Sequence, residues 1–204
     1  PAITGGIGVC HTYVDSAADV DMANSITFNA KVQRPSVCNA LDTVLVHSGI
    51  AGAFLPKMAA SMGEAGVELR CDSRALSIIG ENGSNLATRA TDEDFGQEFL
   101  ALVASVKVVD SLDEALIHIE TYGSGHSEAI VTQDYGAATR FTDEVDASAV
   151  FVNASTRLND GGEFGLGAEV AISTNKMHAR GPMGLAELTS YKWVGLGSGQ
   201  IREG

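Results

Sequence analysis

Short runs of apolar and β-branched residues alternate along this chain with stretches of helical periodicity, and no other feature constrains the fold as much. The runs fall at residues 9–14, 43–47, 67–71, 99–109, 128–132 and 149–153. Between them, Ala18, Met22, Ile26 and Ala30 share one i, i+4 row behind an Asp15/Ser16 cap, and Ile50, Phe54, Met58 and Met62 share another. Ser111-Leu112-Asp113-Glu114 is a capping box leading into a face of Leu112, Ala115, Leu116 and Ile119. Residues 135–145 form a further helix that packs Ala138, Phe141 and Val145. Parallel neighbours need crossover connections, so the pattern predicts an α/β fold: a largely parallel sheet flanked by helices. Ligands of such sheets are expected beyond the carboxyl ends of the strands. Pro56 is expected in the first turn of its helix, or kinking it, and residues 80–91 as a surface loop. The glycines of residues 161–167 mark a loop, Val170 to Ser173 a strand, and residues 185–194 a helical turn followed by a strand bearing Tyr191 and Trp193.

Charge narrows the function. With 26 acidic and 13 basic side chains the formal net charge is -13, which repels a nucleic acid. Small basic groups such as Lys31 with Arg34 could hold one phosphate or carboxylate but no polymer. Cys10, Cys38 and Cys71 have no CxxC or zinc-like spacing, which argues against a disulfide framework or a metal site and fits a reducing cytoplasm. No apolar run approaches the ~20 residues that span a bilayer, so neither a membrane nor a signal peptide is expected.

Residues 31–40, KVQRPSVCNA, contain the most reactive candidate. Pro35 cannot continue a helix and holds Arg34 extended, so the backbone must turn and Cys38 sits on that turn. Ser36 as an N-cap would place Cys38 in the first turn of a short helix, where free amides favour a thiolate, with Arg34 as a nearby positive charge. The competing reading is a small buried hydrophobe between Val37 and Ala40.

Six segments, in order along the whole sequence, carry a resemblance: KVQRPSVCNA, VVDSLDEA (108–115), YGSGHSEAIVT (122–132), VNASTR (152–157), GGEFGLG (161–167) and KMHARGPMGL (176–185). Together they resemble the gamma-glutamyl phosphate reductase family, a branch of the aldehyde dehydrogenase superfamily. That family's chain is longer, so the resemblance implies a carboxyl-terminal half with an aldehyde-dehydrogenase-like catalytic domain. Residues 1–30 would end the cofactor-binding domain, 31–165 form the catalytic domain, and 166–204 form a returning carboxyl-terminal segment with the oligomerisation strand. The implied activity is reduction of L-glutamyl 5-phosphate by NADPH to L-glutamate 5-semialdehyde and phosphate, in proline biosynthesis. A homo-oligomer and a glutamate 5-kinase partner are implied with it. The alternative is a folded fragment that only associates or complements its missing half.

Carried onto this sequence, the resemblance makes Cys38 the nucleophile and Glu98 the carboxylate that holds the ribose beside the nicotinamide. Asn153 and Phe164 match pocket-lining positions, and His126 lies in an insertion that hydrolytic relatives lack, suiting a role toward the substrate. Arg34, Arg157 and Arg180 are the candidates for gripping phosphate or α-carboxylate, though each also suits an ordinary surface ion pair. Hydrolytic relatives carry a water-activating glutamate in the segment matching Ile3-Thr4-Gly5-Gly6, which has no carboxylate here. Its loss fits a reductase that must keep water from its thioester.

Overall fold

The computed structural model describes residues 5–80 and 86–204. Seven strands form the main sheet: β1 (His11–Val14), β2 (Thr43–His47), β3 (Glu68–Cys71), β4 (Ala87–Arg89), β5 (Val103–Val109), β6 (Ser127–Val131) and β7 (Ala149–Val152). Their order is β4-β3-β5-β2-β1-β6-β7, and every neighbouring pair is parallel. The α/β expectation therefore holds. Central strands of such a sheet are covered on both faces, which is why the middle of β2, residues 44–46, is apolar without alternation. Val44 and Val46 face one core cluster and Leu45 the other.

Helices α1 (Val20–Val32), α2 (Ser48–Glu64) and α3 (Ser73–Ile79) pack with the first cluster; Phe54, Leu55, Met58 and Met62 of α2 are fully buried in it. Helices α4 (Leu112–Tyr122) and α5 (Tyr135–Glu144) bury Ala115, Ile119 and Phe141 in the second, on the opposite face. The Ser111 cap forms as expected, its hydroxyl accepting from the Glu114 N–H at 3.2 Å. Glu114 reaches past it to the Asp110 amide at 2.8 Å.

Several local expectations are corrected. α1 is capped by Asp19, which accepts from the Met22 N–H at 2.8 Å, and not by Asp15 or Ser16. Asp15 is instead buried, accepting from Thr132 Oγ1 (2.7 Å) and Tyr13 Oη (3.1 Å). With the later start, the buried stripe of α1 runs through Ala23, Thr27 and Ala30, and Met22 is exposed. Pro56 lies inside α2, not in its first turn. α3 was not foreseen, although Asp72 caps it by accepting from Ala75 N at 2.7 Å. The segment expected as a loop contains edge strand β4, and its residues 81–85 lie outside those described. β1 lies between β2 and β6, and α1 packs in the first core cluster with β2.

The chain beyond residue 165 forms a separate antiparallel pair, β8 (Ala171–Ser173) with β9 (Gly181–Met183), followed by the short helix α6 (Leu185–Leu188). The strand expected at Tyr191 and Trp193 is absent; the two rings meet edge to face at 5.8 Å, and Trp193 is 90% exposed. A strand without a neighbour has nothing to satisfy its backbone. Among the described residues no helix is long and apolar enough to cross a membrane.

Candidate active site

In a parallel crossover unit the helix runs back against the strands, so the link from α1 to β2 must lie at the amino ends of the strands. Cys38 is on that link, at the edge opposite the one expected from the general rule for α/β sheets. Three further segments converge there. Residues 8–10 lead into β1, Glu98 and Phe99 precede β5, and Ser124 and His126 precede β6. Their hydrogen bonds join them: the Gly8 N–H donates to Glu98 Oε1 (3.0 Å) and the Val9 N–H to Ser124 Oγ (2.8 Å). The Cys10 thiol donates to the Cys38 carbonyl oxygen at 3.2 Å. Gly8 lies so close to this carbonyl that a Cβ built on it would be 1.8 Å from the oxygen.

The helical cap expected at Ser36 does not form. Residues 35–39 are turns and a bend, closed by the Ala40 N–H on the Val37 carbonyl at 3.0 Å. Cys38 thus has no helix terminus to stabilise a thiolate. Its half-buried thiol is pushed up from its ordinary value, first by burial and then by the charges of Glu169 and Glu98. Its own backbone N–H and the Arg157 guanidinium oppose that shift.

The cation near the thiol is therefore Arg157. Its Nε donates to Gln33 Oε1 at 2.8 Å and its Nη1 to Asn39 Oδ1. Asn39 is fixed in turn, with Nδ2 donating to the Asn159 carbonyl (3.0 Å) and its own carbonyl accepting from Thr156 Oγ1 (2.8 Å). Replacing Arg157 by methionine is expected to raise the Cys38 pKa further and slow its alkylation near neutral pH by about two- to tenfold, up to one pKa unit of thiolate. Iodoacetamide kinetics with peptide-resolved mass spectrometry reads this; an unchanged or faster rate would remove Arg157 from the site.

The fold thus brings together Cys38, Glu98 and Arg157. His126 is close but fully buried, so it presents no surface to a substrate; its Nδ1 is 2.7 Å from Ser127 Oγ and 3.8 Å from Cys10 Sγ. Asn153 sits at the opposite, carboxyl edge, where its side chain pairs with the Thr132 N–H and carbonyl, both at 2.9 Å. Phe164 is half exposed and stacks on Phe151 of β7 at 6.4 Å. Arg180 and Lys176 are both committed to Asp146. Arg34 is exposed and is not among the charges shifting Cys38. The residues that sequence reading missed are Gly8, Cys10, Asn39 and Glu169, each of which acts on Cys38 or its neighbour only through the fold. Ile3 and Thr4, the start of the segment lacking a carboxylate, lie outside the described residues.

The buried histidines beside this edge make the fold acid-sensitive. Burial, helped by the charges of His11 and Lys107, pushes His118 down to about 3, and burial pushes His126 down to about 4. Both are neutral when folded and charge on unfolding, so they oppose folding as pH falls below their unfolded value. Asp42, pushed up to about 6, acts in the opposite sense over part of that window. The two histidines together contribute a loss of about 3–4 kcal/mol of stability between pH 7 and 5, against which Asp42 and Glu128, both pushed up by burial, act. Urea unfolding of the unsubstituted chain and of His118→Gln at the two pH values checks the histidine contribution, and the variant should lose about 2 kcal/mol less.

No family model matches the chain. A gamma-glutamyl phosphate reductase of Dehalococcoides mccartyi is 62% identical over 202 residues, covering 99% of this chain and 48% of the relative. The crystal structure of gamma-glutamyl phosphate reductase from Thermotoga maritima matches 98% of this chain and 47% of its own, at TM-score 0.88 and 47% identity. An acetylating aldehyde dehydrogenase from Geobacillus thermoglucosidasius, 17% identical, covers 100% of this chain and 53% of its own at TM-score 0.72, a likeness of fold. The chain spans about half the length of the curated relatives it matches. In sequence it is a relative of the gamma-glutamyl phosphate reductases, and in fold it is aldehyde-dehydrogenase-like.

Proposed function

We propose that this chain supplies the thiol-bearing part of a reductase converting L-glutamyl 5-phosphate to L-glutamate 5-semialdehyde and phosphate, within proline biosynthesis. The observation that supports the reading is that Glu98 binds Gly8, which packs on the Cys38 carbonyl, and Arg157 binds Asn39 beside the thiol, in a chain 62% identical to a gamma-glutamyl phosphate reductase. The Cys38 thiolate attacks the acyl carbon, the bond to the phosphate oxygen breaks, and a thioester forms. Phosphate is a good leaving group and needs no proton from the protein. NADPH, when bound, supplies the hydride that reduces the thioester. The resulting tetrahedral adduct then collapses to aldehyde and releases the Cys38 sulfur. The Cys38 N–H is the donor this chain offers to the developing oxyanion, Glu98 holds the ribose, and Arg157 meets the anionic end of the substrate.

Full turnover is expected to need the rest of the protein. The raised pKa of Cys38 in this chain supports that second reading, a folded part without activity of its own. Residues 185–196, with Tyr191, Trp193 and Leu196 exposed, suit association with a second copy. Mixing the chain with the part of the Dehalococcoides mccartyi reductase that it does not span tests the proposal. Phosphate-dependent reduction of NADP by the semialdehyde should appear only in the mixture, and a mixture that forms a complex without activity would contradict it.

A further inference from the structure

Beneath the Cys38 turn lies a buried ion pair that the proposed chemistry does not use. Lys31 Nζ, at the end of α1, is 3.7 Å from Asp42 Oδ1, and the side chains are 0% and 3% exposed. Asp42 sits just before β2 and accepts from two segments at once: the Cys10 N–H on Oδ2 (3.3 Å) and the Phe99 N–H on Oδ1 (3.1 Å). Lys31 binds the same second segment, donating to the Ala101 carbonyl at 3.1 Å and lying 6.0 Å from the Phe99 ring centroid. Cys10 carries the Cys38 carbonyl, and Phe99 follows Glu98, which carries Gly8.

We propose that Asp42, anchored by Lys31, is a positioning residue that clamps the Cys10 and Phe99 amides and so holds the Cys38 turn and Glu98 on either side of residues 8–10. The proposal rests on the reading of Cys38 and Glu98 given above. Two amides and an ammonium face the carboxyl, so the site is built for an ionised, acceptor-only group. Burying such a pair seldom adds stability over apolar packing. Burial indeed works against both charges, pushing Asp42 up and Lys31 down. The titratable groups facing Asp42 are Lys31 on α1 and Cys10 and His11 at β1. A costly pair placed directly under the two reacting-site residues is explained by what it holds in place.

Protonating Asp42 removes the acceptor-only geometry, which gives a readout that a merely space-filling residue would not move. The amide proton chemical shifts of Cys10 and Phe99, the two donors to this carboxylate, are followed by NMR in the 204-residue chain from about pH 7.5 to 5. Both are expected to move together with one midpoint near 6 as their acceptor is protonated. Lys31→Met should move the midpoint upward, because the cation that favours the carboxylate is gone. Asp42→Asn should abolish the midpoint and speed Cys38 alkylation while circular dichroism stays unchanged. Flat shifts in the unsubstituted chain, or an unmoved midpoint in Lys31→Met, would overturn the clamp, and neither depends on the Asp42 variant folding. If the shifts behave as expected but no acyl group can be trapped on Cys38, the clamp stands and the catalytic reading fails.

Discussion

Replacing Gly8 by alanine is expected to destabilise the chain by about 2–3 kcal/mol, the upper range for overpacking. The added methyl would lie 1.8 Å from the Cys38 carbonyl oxygen, 2.7 Å from its carbon and 3.0 Å from its Cα. All three atoms are backbone, so no side chain can rotate away, and either the turn or the lead into β1 must move. Moving either one strains the Gly8 hydrogen bond to Glu98 and the Cys10 hydrogen bond to the Cys38 carbonyl. The same change should therefore alter Cys38 alkylation as well as the urea midpoint. Gly52→Ala is the control. Gly52 is exposed inside α2 with nothing within 4 Å of a built Cβ, so helix propensity alone predicts a gain of about 0.5–1 kcal/mol. A Gly8→Ala chain with an unchanged midpoint would show that the close approach is not required.

The largest effect on activity is expected at Cys38. Cys38→Ser in the reconstituted reductase should lower turnover on the order of a thousandfold or more, the scale seen when a nucleophile is removed. A serine hydroxyl has no thiolate form to attack with, and the neighbouring His126 is fully buried against Cys10. Folding should be nearly untouched, since the side chain is half-buried and makes no buried packing contact of its own in either core cluster. Urea unfolding within about 0.5 kcal/mol of the unsubstituted chain, as for ordinary surface changes, would separate lost chemistry from lost structure. Retained turnover would remove Cys38 from the mechanism.

The sheet was legible because its central strands are covered on both faces, so that residues 44–46 are apolar at every position. α4 was legible because Ser111 and Glu114 sit at fixed spacing. The register of α1 was not, since Met22 and Ala23 are equally apolar on paper and the late cap at Asp19 decides which faces the core. The turn at Cys38 could be read from Pro35, but its electrostatics could not. Arg157 and Glu169 act on the thiol from the far end of the sequence, while the nearby Arg34 is exposed. The edge of the sheet that carries the site followed from chain direction, which the general rule for strand ends does not take into account. The strand at Trp193 has the right residues and lacks a neighbour to pair with.

The most direct test of the account is acyl trapping. This chain, mixed with the part of the Dehalococcoides mccartyi reductase that it does not span, is exposed to L-glutamyl 5-phosphate without nicotinamide nucleotide and analysed by peptide-resolved mass spectrometry. A hydroxylamine-labile glutamyl group on Cys38, with Cys10 and Cys71 unmodified, is the predicted result. An acyl group on either other cysteine, or none while Cys38 remains open to alkylation, would contradict it.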